Sequence, residues 1–409
     1  MSSLPPWARS AAGANTYDAA AHRVLPTVYE RTTAAALAHH GINLGQGFPD
    51  HEGPEWIRAA AAEAISTDVG PSNQYSPGMG FPWFREAVAA HQRRHYGIEL
   101  DPESQVLHTT GATEAIAATV LAFAAEGSEV VTFEPFYDSY GAMVALAGAQ
   151  LRTVPLRAPD FRPDIEALEA AVTERTSMIL VNSPHNPTGV VFTPAELEQI
   201  VGIAARCGAV VMSDEVYEHL MMSDAQHAHQ TILTVPRAEE VAVAVGSAGK
   251  SFSLTGWKVG WVTGSEQLIN RIRGVKQFTT FCTGGAFQYA VAQGLADDRG
   301  FFAANQAQLQ AGRDLLLDGL AAAGLKPYRP DAGYFVLADV SAVTDTTAAE
   351  FAAEMVAGAG VGAIPVSSLT LPSTQADRDD ELNHLLRFAF CKRHQVLGDA
   401  LDRLRDWLA

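Results

Sequence analysis

Four stretches of this 409-residue chain set reactive side chains beside short apolar runs. Asn182 and Asn186 lie in Asn-Ser-Pro-His-Asn-Pro-Thr-Gly after Met178 to Val181. Asp214 and Tyr217 lie in Ser-Asp-Glu-Val-Tyr after Ala209 to Met212, and Ser247 and Lys250 lie in Gly-Ser-Ala-Gly-Lys-Ser after Val241 to Val245. Thr110-Gly111-Ala112 precedes an apolar helix expected from Thr113 to Ala125, and the free N–H groups at such a start can hold a phosphate. Ligands of open parallel sheets bind beyond the carboxyl ends of the strands, so an amine, a carboxylate, a phenol and an anion site are expected along one edge. Lys250, among small residues directly after an apolar strand, is poorly placed for an idle surface cation.

Each residue also has a plainer reading. Asp214 alone could be a helix cap or turn residue. Asn186 before Pro187 could be turn chemistry, and His185 reads as a turn residue. Tyr217, three residues past Asp214, shares a face with it if the segment makes a helical turn; alone it would be core filling. Gly249-Lys250-Ser251 also resembles the end of a P-loop, with Val210 to Glu215 as a strand ending in a magnesium-binding acid. That motif needs a glycine five residues before Gly249, where Ala244 stands, and Gly256 breaks the helix that should follow.

The elements that must position these residues alternate. Helices are expected after Gly53-Pro54, with Pro54 in the first turn and Trp56, Ile57, Ala60, Ala61 and Ala64 on one face, and from Pro82 to a stop at Gly97. Strands are expected at Val130 to Phe133, Met178 to Val181, Ala209 to Met212, Val241 to Val245 and Val259 to Val262. Thr193-Pro194-Ala195-Glu196 is a capping box opening a helix that stops at Gly208. Short, wholly apolar strands separated by helices imply a largely parallel sheet covered on both faces. A long helix from Phe301 to Gly324 leads to a smaller α+β layer: strands at Tyr334 to Leu337 and Arg387 to Phe390, a helix from Thr347 to Gly358, and a last helix striped by Leu397, Leu401, Leu404 and Leu408. The first forty residues read as an arm plus one helix, and Ser367 to Asp380 as a polar surface loop.

Composition bounds the function. Lys and Arg number 28 against 46 Asp and Glu, a formal charge of −18, which argues against a polyanion-binding protein. Apolar residues at 47% and charged residues at 18% suit a globular chain, and its length suggests two packed domains. No run of eighteen apolar residues suggests a membrane span, and Met1 to Asn15 lacks the apolar segment of a signal peptide. Cys207, Cys282 and Cys391 are far apart with no CxxC pair, so a reduced, cytoplasmic compartment is expected.

Taken together, these segments resemble the class I/II aminotransferases, pyridoxal-phosphate enzymes of fold type I. The matching pieces run in the family's order: Leu44-Gly45-Gln46-Gly47-Phe48-Pro49-Asp50, Asn73-Gln74-Tyr75, Gly111-Ala112-Thr113-Glu114, Asn186-Pro187-Thr188-Gly189, Asp214-Glu215-Val216-Tyr217, Ser247-Ala248-Gly249-Lys250, Gly256-Trp257-Lys258-Val259-Gly260-Trp261 and Arg387-Phe388. The forms are most similar to the subgroup of kynurenine and glutamine transaminases and bacterial N-succinyldiaminopimelate aminotransferases. Glu134 to Tyr140 and Asp214 to Leu220 look nearest to the last of these.

The resemblance implies an α/β fold. Residues 1–50 would form an arm and part of a small domain. Residues 51–298 would be a large cofactor-binding domain with a mostly parallel seven-stranded sheet, and 299–409 a C-terminal small α+β domain. It assigns Lys250 to the cofactor aldehyde and to proton transfer at the substrate Cα, which needs a neutral amine. It assigns Asp214 to the pyridine nitrogen, Asn186 and Tyr217 to the phenolic oxygen, and Tyr137 to the ring face, with Phe136 as the alternative. Ala112, Thr113, Ser247 and Lys258 would bind the phosphate, where much of the wider family has arginine at the Lys258 position. Tyr75 would reach the phosphate in a neighbouring subunit, which implies a homodimer. Arg387 would take the substrate α-carboxylate beside Asn186 and the Gly47 backbone, or else be a surface arginine at a strand start, and Phe281 would line the partner's side-chain pocket. No metal ligand is expected.

The activity implied is ping-pong transfer of an amino group from an L-amino acid to a 2-oxo acid, with N-succinyl-diaminopimelate and glutamate favoured, as in lysine biosynthesis. Kynurenine, glutamine, methionine and aromatic substrates remain open, as does β-elimination at a carbon–sulfur bond. Arg152, Arg157 and Arg329 are the unplaced candidates for a distal carboxylate.

Overall fold

The computed structural model describes residues 4–67, 73–296 and 299–409. The expected boundary between the two larger domains, at 298, lies outside the described residues. The N-terminal stretch holds two helices rather than one. Pro5-Pro6 opens α1 (Pro6–Gly13), which packs on a later helix, and β1 (Tyr17–Asp18) pairs antiparallel with β2 (Arg23–Val24). α2 (Val28–Ala38) starts at a capping box in which Thr27 Oγ1 accepts from Glu30 N and Glu30 accepts from Thr27 N at 2.7 Å. That signal stands in the sequence as Thr-Val-Tyr-Glu. β3 (Ile42–Asn43) then leads to α3 (Glu55–Ser66), for which Pro54 is the cap rather than a first-turn residue. α4 (Pro82–Tyr96) ends at Gly97, whose φ of 71° suits the missing Cβ.

The central sheet has seven strands: β4 (Val106–Thr110), β5 (Glu129–Glu134), β6 (Gln150–Pro155), β7 (Thr176–Asn182), β8 (Val210–Asp214), β9 (Ala242–Ser247) and β10 (Val259–Gly264). Their order is β4-β10-β9-β8-β7-β5-β6. β10 runs antiparallel to both neighbours, and the remaining adjacent pairs are parallel. Periodicity alone located five of these strands. β4 and β6 escaped it because His108, Thr109 and Thr110, and Gln150 and Arg152, interrupt their apolar pattern. Along β7, Met178 and Leu180 enter one core and Ile179 and Val181 the other, so both faces are covered. Each of these buried aliphatic side chains contributes about 1.5–3 kcal/mol. α5 (Gly111–Phe123) packs against β8, β9 and β10, and it starts two residues before the expected Thr113. α6 (Asp138–Leu146) meets α1 where Gly13 and Gly141 touch: a Cβ on Gly13 would lie 2.2 Å from the Gly141 carbonyl oxygen.

The long helix Phe301–Ala322 leads to a second sheet of β11 (Lys326–Tyr328), β12 (Phe335–Asp339), β14 (Ile364–Pro365) and β15 (Leu385–Ala389), in the order β11-β12-β15-β14. β13 (Val361–Gly362) pairs instead with β3, tying the N-terminal arm to this layer. The segment expected as a surface loop is partly built in: Ser367, Leu369 and Thr370 are buried. Phe136 N donates to Leu369 O at 2.7 Å, and the Glu134 carboxylate accepts from Leu371 N. Buried backbone partners override the polar composition there.

Candidate active site

The register of β7 and β8 sets Asn182 beside Asp214. Asn182 Nδ2 donates to the Asp214 carbonyl at 2.8 Å, and its Oδ1 accepts from Asn186 N at 2.7 Å, so one amide ties both strand-end segments together. The Asp214 side chain is buried, with Tyr140 OH donating to Oδ2 at 2.6 Å. Burial pushes its carboxyl up to about 6, against the opposing pull of the Tyr140 hydroxyl, the Val216 N–H and the Lys250 charge.

Lys250 sits on the single turn Ala248–Ser251 that follows β9. Its Nζ donates to Tyr334 OH at 2.5 Å and lies 3.4 Å from the Gly47 carbonyl, to which Tyr334 donates at 2.6 Å. Burial lowers the Lys250 amine to about 8. The Tyr217 ring is 5.6 Å from that nitrogen, and burial raises its phenol. The Asp214 to Tyr217 segment is a turn after β8, not a helix.

At the opposite wall, α5 presents its first turn. Gly111 has φ +68°, and a Cβ there would fall 3.1 Å from Lys258 Cε and 3.2 Å from its Nζ. A Cβ on Gly260 would lie 2.8 Å from Ala112 N. Two glycines thus keep a cradle open at the helix start. Lys258 Nζ donates to Thr113 Oγ1 at 2.9 Å, and burial lowers its pKa. Glu114 accepts from Thr110 N at 2.7 Å, ahead of the Ala112 and Thr113 N–H groups.

Arg387 is in the middle of β15, opposite Leu337 and Ile364, and 1% exposed, which overturns the reading as a surface arginine at a strand start. Nη1 donates to Asn186 Oδ1 at 3.0 Å and Nη2 to the Gly45 carbonyl at 2.8 Å. The guanidinium carbon stands 4.0 Å from the Phe335 ring centroid. Its Nε is buried without a hydrogen-bond partner.

These groups surround one cavity of about 300 Å³. Gly47, Ala112, Thr113, Tyr137, Asn186, Asp214, Tyr217, Ser247, Lys250, Lys258 and Arg387 all line it. Phe136 is core instead. Tyr75 and Phe281 do not line it; they are 85% and 46% exposed, with ring centroids 6.0 Å apart, and Cys282 lines the shallow groove beside Tyr75. Arg152, Arg157 and Arg329 bind Glu129, Asp380 and Asp224, away from the cavity. Sequence reasoning passed over Tyr29, Tyr140 and Phe335 in the walls, and Tyr334 behind Lys250. Tyr140 ends the Glu134 to Tyr140 segment that carries part of the family resemblance. Tyr334 carried no comparable signal.

The family model for aminotransferase class I and II matches residues 39–403. The chain is 44% identical over 383 residues to the "Probable N-succinyldiaminopimelate aminotransferase DapC" of Mycobacterium tuberculosis (strain ATCC 25618 / H37Rv), covering 92% of this chain and 95% of that one. It is 35% identical over 379 residues to the methionine aminotransferase of Escherichia coli (strain K12), covering 93% and 95%. The solved structure of N-succinyldiaminopimelate aminotransferase from Mycobacterium tuberculosis superposes with a TM-score of 0.88 at 43% identity, over 94% of this chain and 97% of that one.

Proposed function

This chain belongs to the class I and II aminotransferases, a generally pyridoxal-phosphate-dependent family, and from that premise we propose which of its residues do the work and on what substrate. The reading rests on one observation: Lys250, Asp214 and Arg387 share the walls of a single cavity.

The residues fit the cofactor. The open cradle at Gly111 and Gly260, with Lys258 and the first turn of α5, suits a phosphate. A buried Asp214 raised toward neutrality suits a protonated ring nitrogen, which would restore its charged form. When bound, pyridoxal phosphate supplies the aldehyde that captures an amine and the ring that takes up the electron pair left at Cα. Lys250, its amine lowered to about 8 by burial and so more readily deprotonated, would hold the aldehyde and move the proton at Cα. Asp214 keeps the proton on the ring nitrogen, and Tyr140 holds Asp214 in place. Tyr217 and Asn186 would donate to the phenolic oxygen, and Tyr137 would pack on the ring. Arg387 binds the substrate α-carboxylate, giving its orphaned Nε an acceptor, with the Gly47 backbone alongside.

For the substrate, the 44% identity supports an N-succinyl-diaminopimelate-type compound with glutamate as nitrogen donor, in lysine biosynthesis. One observation favours a methionine- or kynurenine-type substrate: among the described residues the cavity lining holds no second arginine, and Tyr29, Phe48 and Phe335 line it. Exposed Tyr75 and Phe281 suit a homodimer in which each subunit completes the other's site. The division 1–50, 51–298 and 299–409 belongs to the same proposal, as does a cytoplasmic setting, for which the three free thiols speak. A panel of amino donors with 2-oxoglutarate as acceptor tests the substrate. Preference for the succinylated dicarboxylate supports the first reading, and equal rates across the panel remove it. Pyruvate and ammonia formed from a cysteine conjugate without acceptor would establish the β-lyase reading instead.

A further inference from the structure

Away from the cavity, a buried cluster joins α4 to the segment after β8. His91, Glu218 and His219 are 0%, 5% and 9% exposed. His91 Nε2 and His219 Nε2 are 3.0 Å apart, and His91 Nε2 and Glu218 Oε2 are 3.8 Å apart. One ligand-capable atom from each of the three lies within 4.8 Å of the others. Four-coordinate zinc with bonds of about 2.0–2.1 Å separates neighbouring ligand atoms by about 3.3 Å; the two spacings around His91 bracket that value, and the widest pair of the set, within 4.8 Å, must draw together when an ion binds.

The surroundings are those of an outer ligand shell. Tyr96 OH donates to Glu218 Oε2 at 2.7 Å. His219 Nδ1 is 2.7 Å from Ser251 Oγ, whose hydroxyl donates to the Ser247 carbonyl at 3.1 Å. That chain puts the imidazole proton on Nδ1 and turns the Nε2 lone pair of His219 toward His91. Phe302 stacks on His219 with centroids 3.9 Å apart and fixes the ring. His91 Nδ1, unlike that of His219, has no outer-shell acceptor, so the shell is built around His219 and Glu218. Among the described residues Glu218 pairs only with the two imidazoles and with no lysine or arginine. A buried carboxylate facing two imidazole nitrogens calls for a cation, supplied by a bound metal ion or by a proton on one imidazole. His95, one helical turn beyond His91 and exposed, offers a route from solvent.

We propose that His91, Glu218 and His219 bind one zinc-class divalent ion, which pins α4 to the segment carrying Tyr217 and, through Ser251, braces the turn carrying Lys250. A set of two imidazoles and one carboxylate selects zinc or cobalt over magnesium. The competing arrangement is a plain hydrogen bond between the two imidazoles, with Tyr96 the sole donor to Glu218.

The test uses the cofactor-loaded enzyme, stripped with chelator, desalted and titrated with zinc chloride. One zinc per chain is expected, with a melting temperature raised by about 5 °C at saturating zinc and unmoved by magnesium. His91→Gln and Glu218→Gln should each weaken binding about 100-fold. If the variants do not fold, cobalt(II) added to the unmodified enzyme decides, because a tetrahedral site shows intense d–d bands. Substoichiometric zinc, equal zinc binding by folded His91→Gln protein, or cobalt without such bands would each overturn the proposal.

Discussion

The two sheets offer their chemistry in different ways. In the seven-stranded sheet the reactive residues stand at or beyond strand ends: Asp214 closes β8, Ser247 closes β9, and Lys250 follows three residues later. In the four-stranded sheet Arg387 is in the middle of β15, Phe335 opens β12, and Tyr334 immediately precedes it. A strand-end residue leaves the ladder, and its loop sets its direction. A mid-strand arginine has its backbone held from both sides, so its position depends on β12 and β14. One sheet thus carries the Lys250 amine and the Asp214 carboxyl, and the other carries a rigid guanidinium fork braced on an aromatic face.

The largest expected effect breaks the first half of that comparison. Lys250→Ala should lower transamination by at least about 10⁴-fold while the protein still retains cofactor in equilibrium dialysis. Unchanged turnover would falsify the assignment. Arg387→Gln probes the other sheet. Its kcat/KM for the amino acid should fall about 10²- to 10³-fold, mainly through KM, because a buried charged pair is lost. A loss confined to kcat would mean that the fork does not hold the carboxylate.

Burial of the reactive groups also predicts a pH signature. Lys250 falls from 10.5 to about 8 on folding, so the unfolded chain binds more protons between those values, and stability should rise as pH climbs from about 8 to about 10.5. Asp214 rises from 3.8 to about 6, and its contribution should be lost as pH climbs through that window. Measured by denaturant melts without added cofactor, Lys250→Met should therefore be more stable than the unmodified protein at pH 7 by at most about 3 kcal/mol. That advantage should close by pH 10.5, and an advantage independent of pH would show that burial does not depress the amine. The smallest effect sharpens the comparison at Asp214. Tyr140→Phe removes a 2.6 Å hydrogen bond to its carboxylate and should weaken cofactor retention about tenfold. Equal retention would mean that the hydroxyl does not position Asp214.

Legibility followed the same division. The strand-end candidates could be read because small and turn-forming residues flank them: Ser-Ala-Gly around Lys250, and the Asn-Pro-Thr-Gly turn around Asn186. Capping boxes at Thr193 and Thr347 and the left-handed glycines at Gly97 and Gly208 lie where local rules put them. The mid-strand residues were legible only through resemblance, since periodicity does not separate a buried Arg387 from an edge one. Tyr334 and Tyr140 look like ordinary core aromatics, and their hydroxyls acquire partners only across 84 and 74 residues of chain.

By itself, then, the sequence determined the alternation of strands and helices, the helix ends and the candidate residues at the strand tips, because those depend on neighbours a few positions away. The tertiary structure alone decided the antiparallel β10, the second N-terminal helix's place against β3 and β13, the burial that moves Lys250 and Asp214 toward neutrality, and the meeting of His91 with Glu218 and His219. Desolvation and long-range pairing depend on what the rest of the chain brings alongside, and no local pattern encodes that.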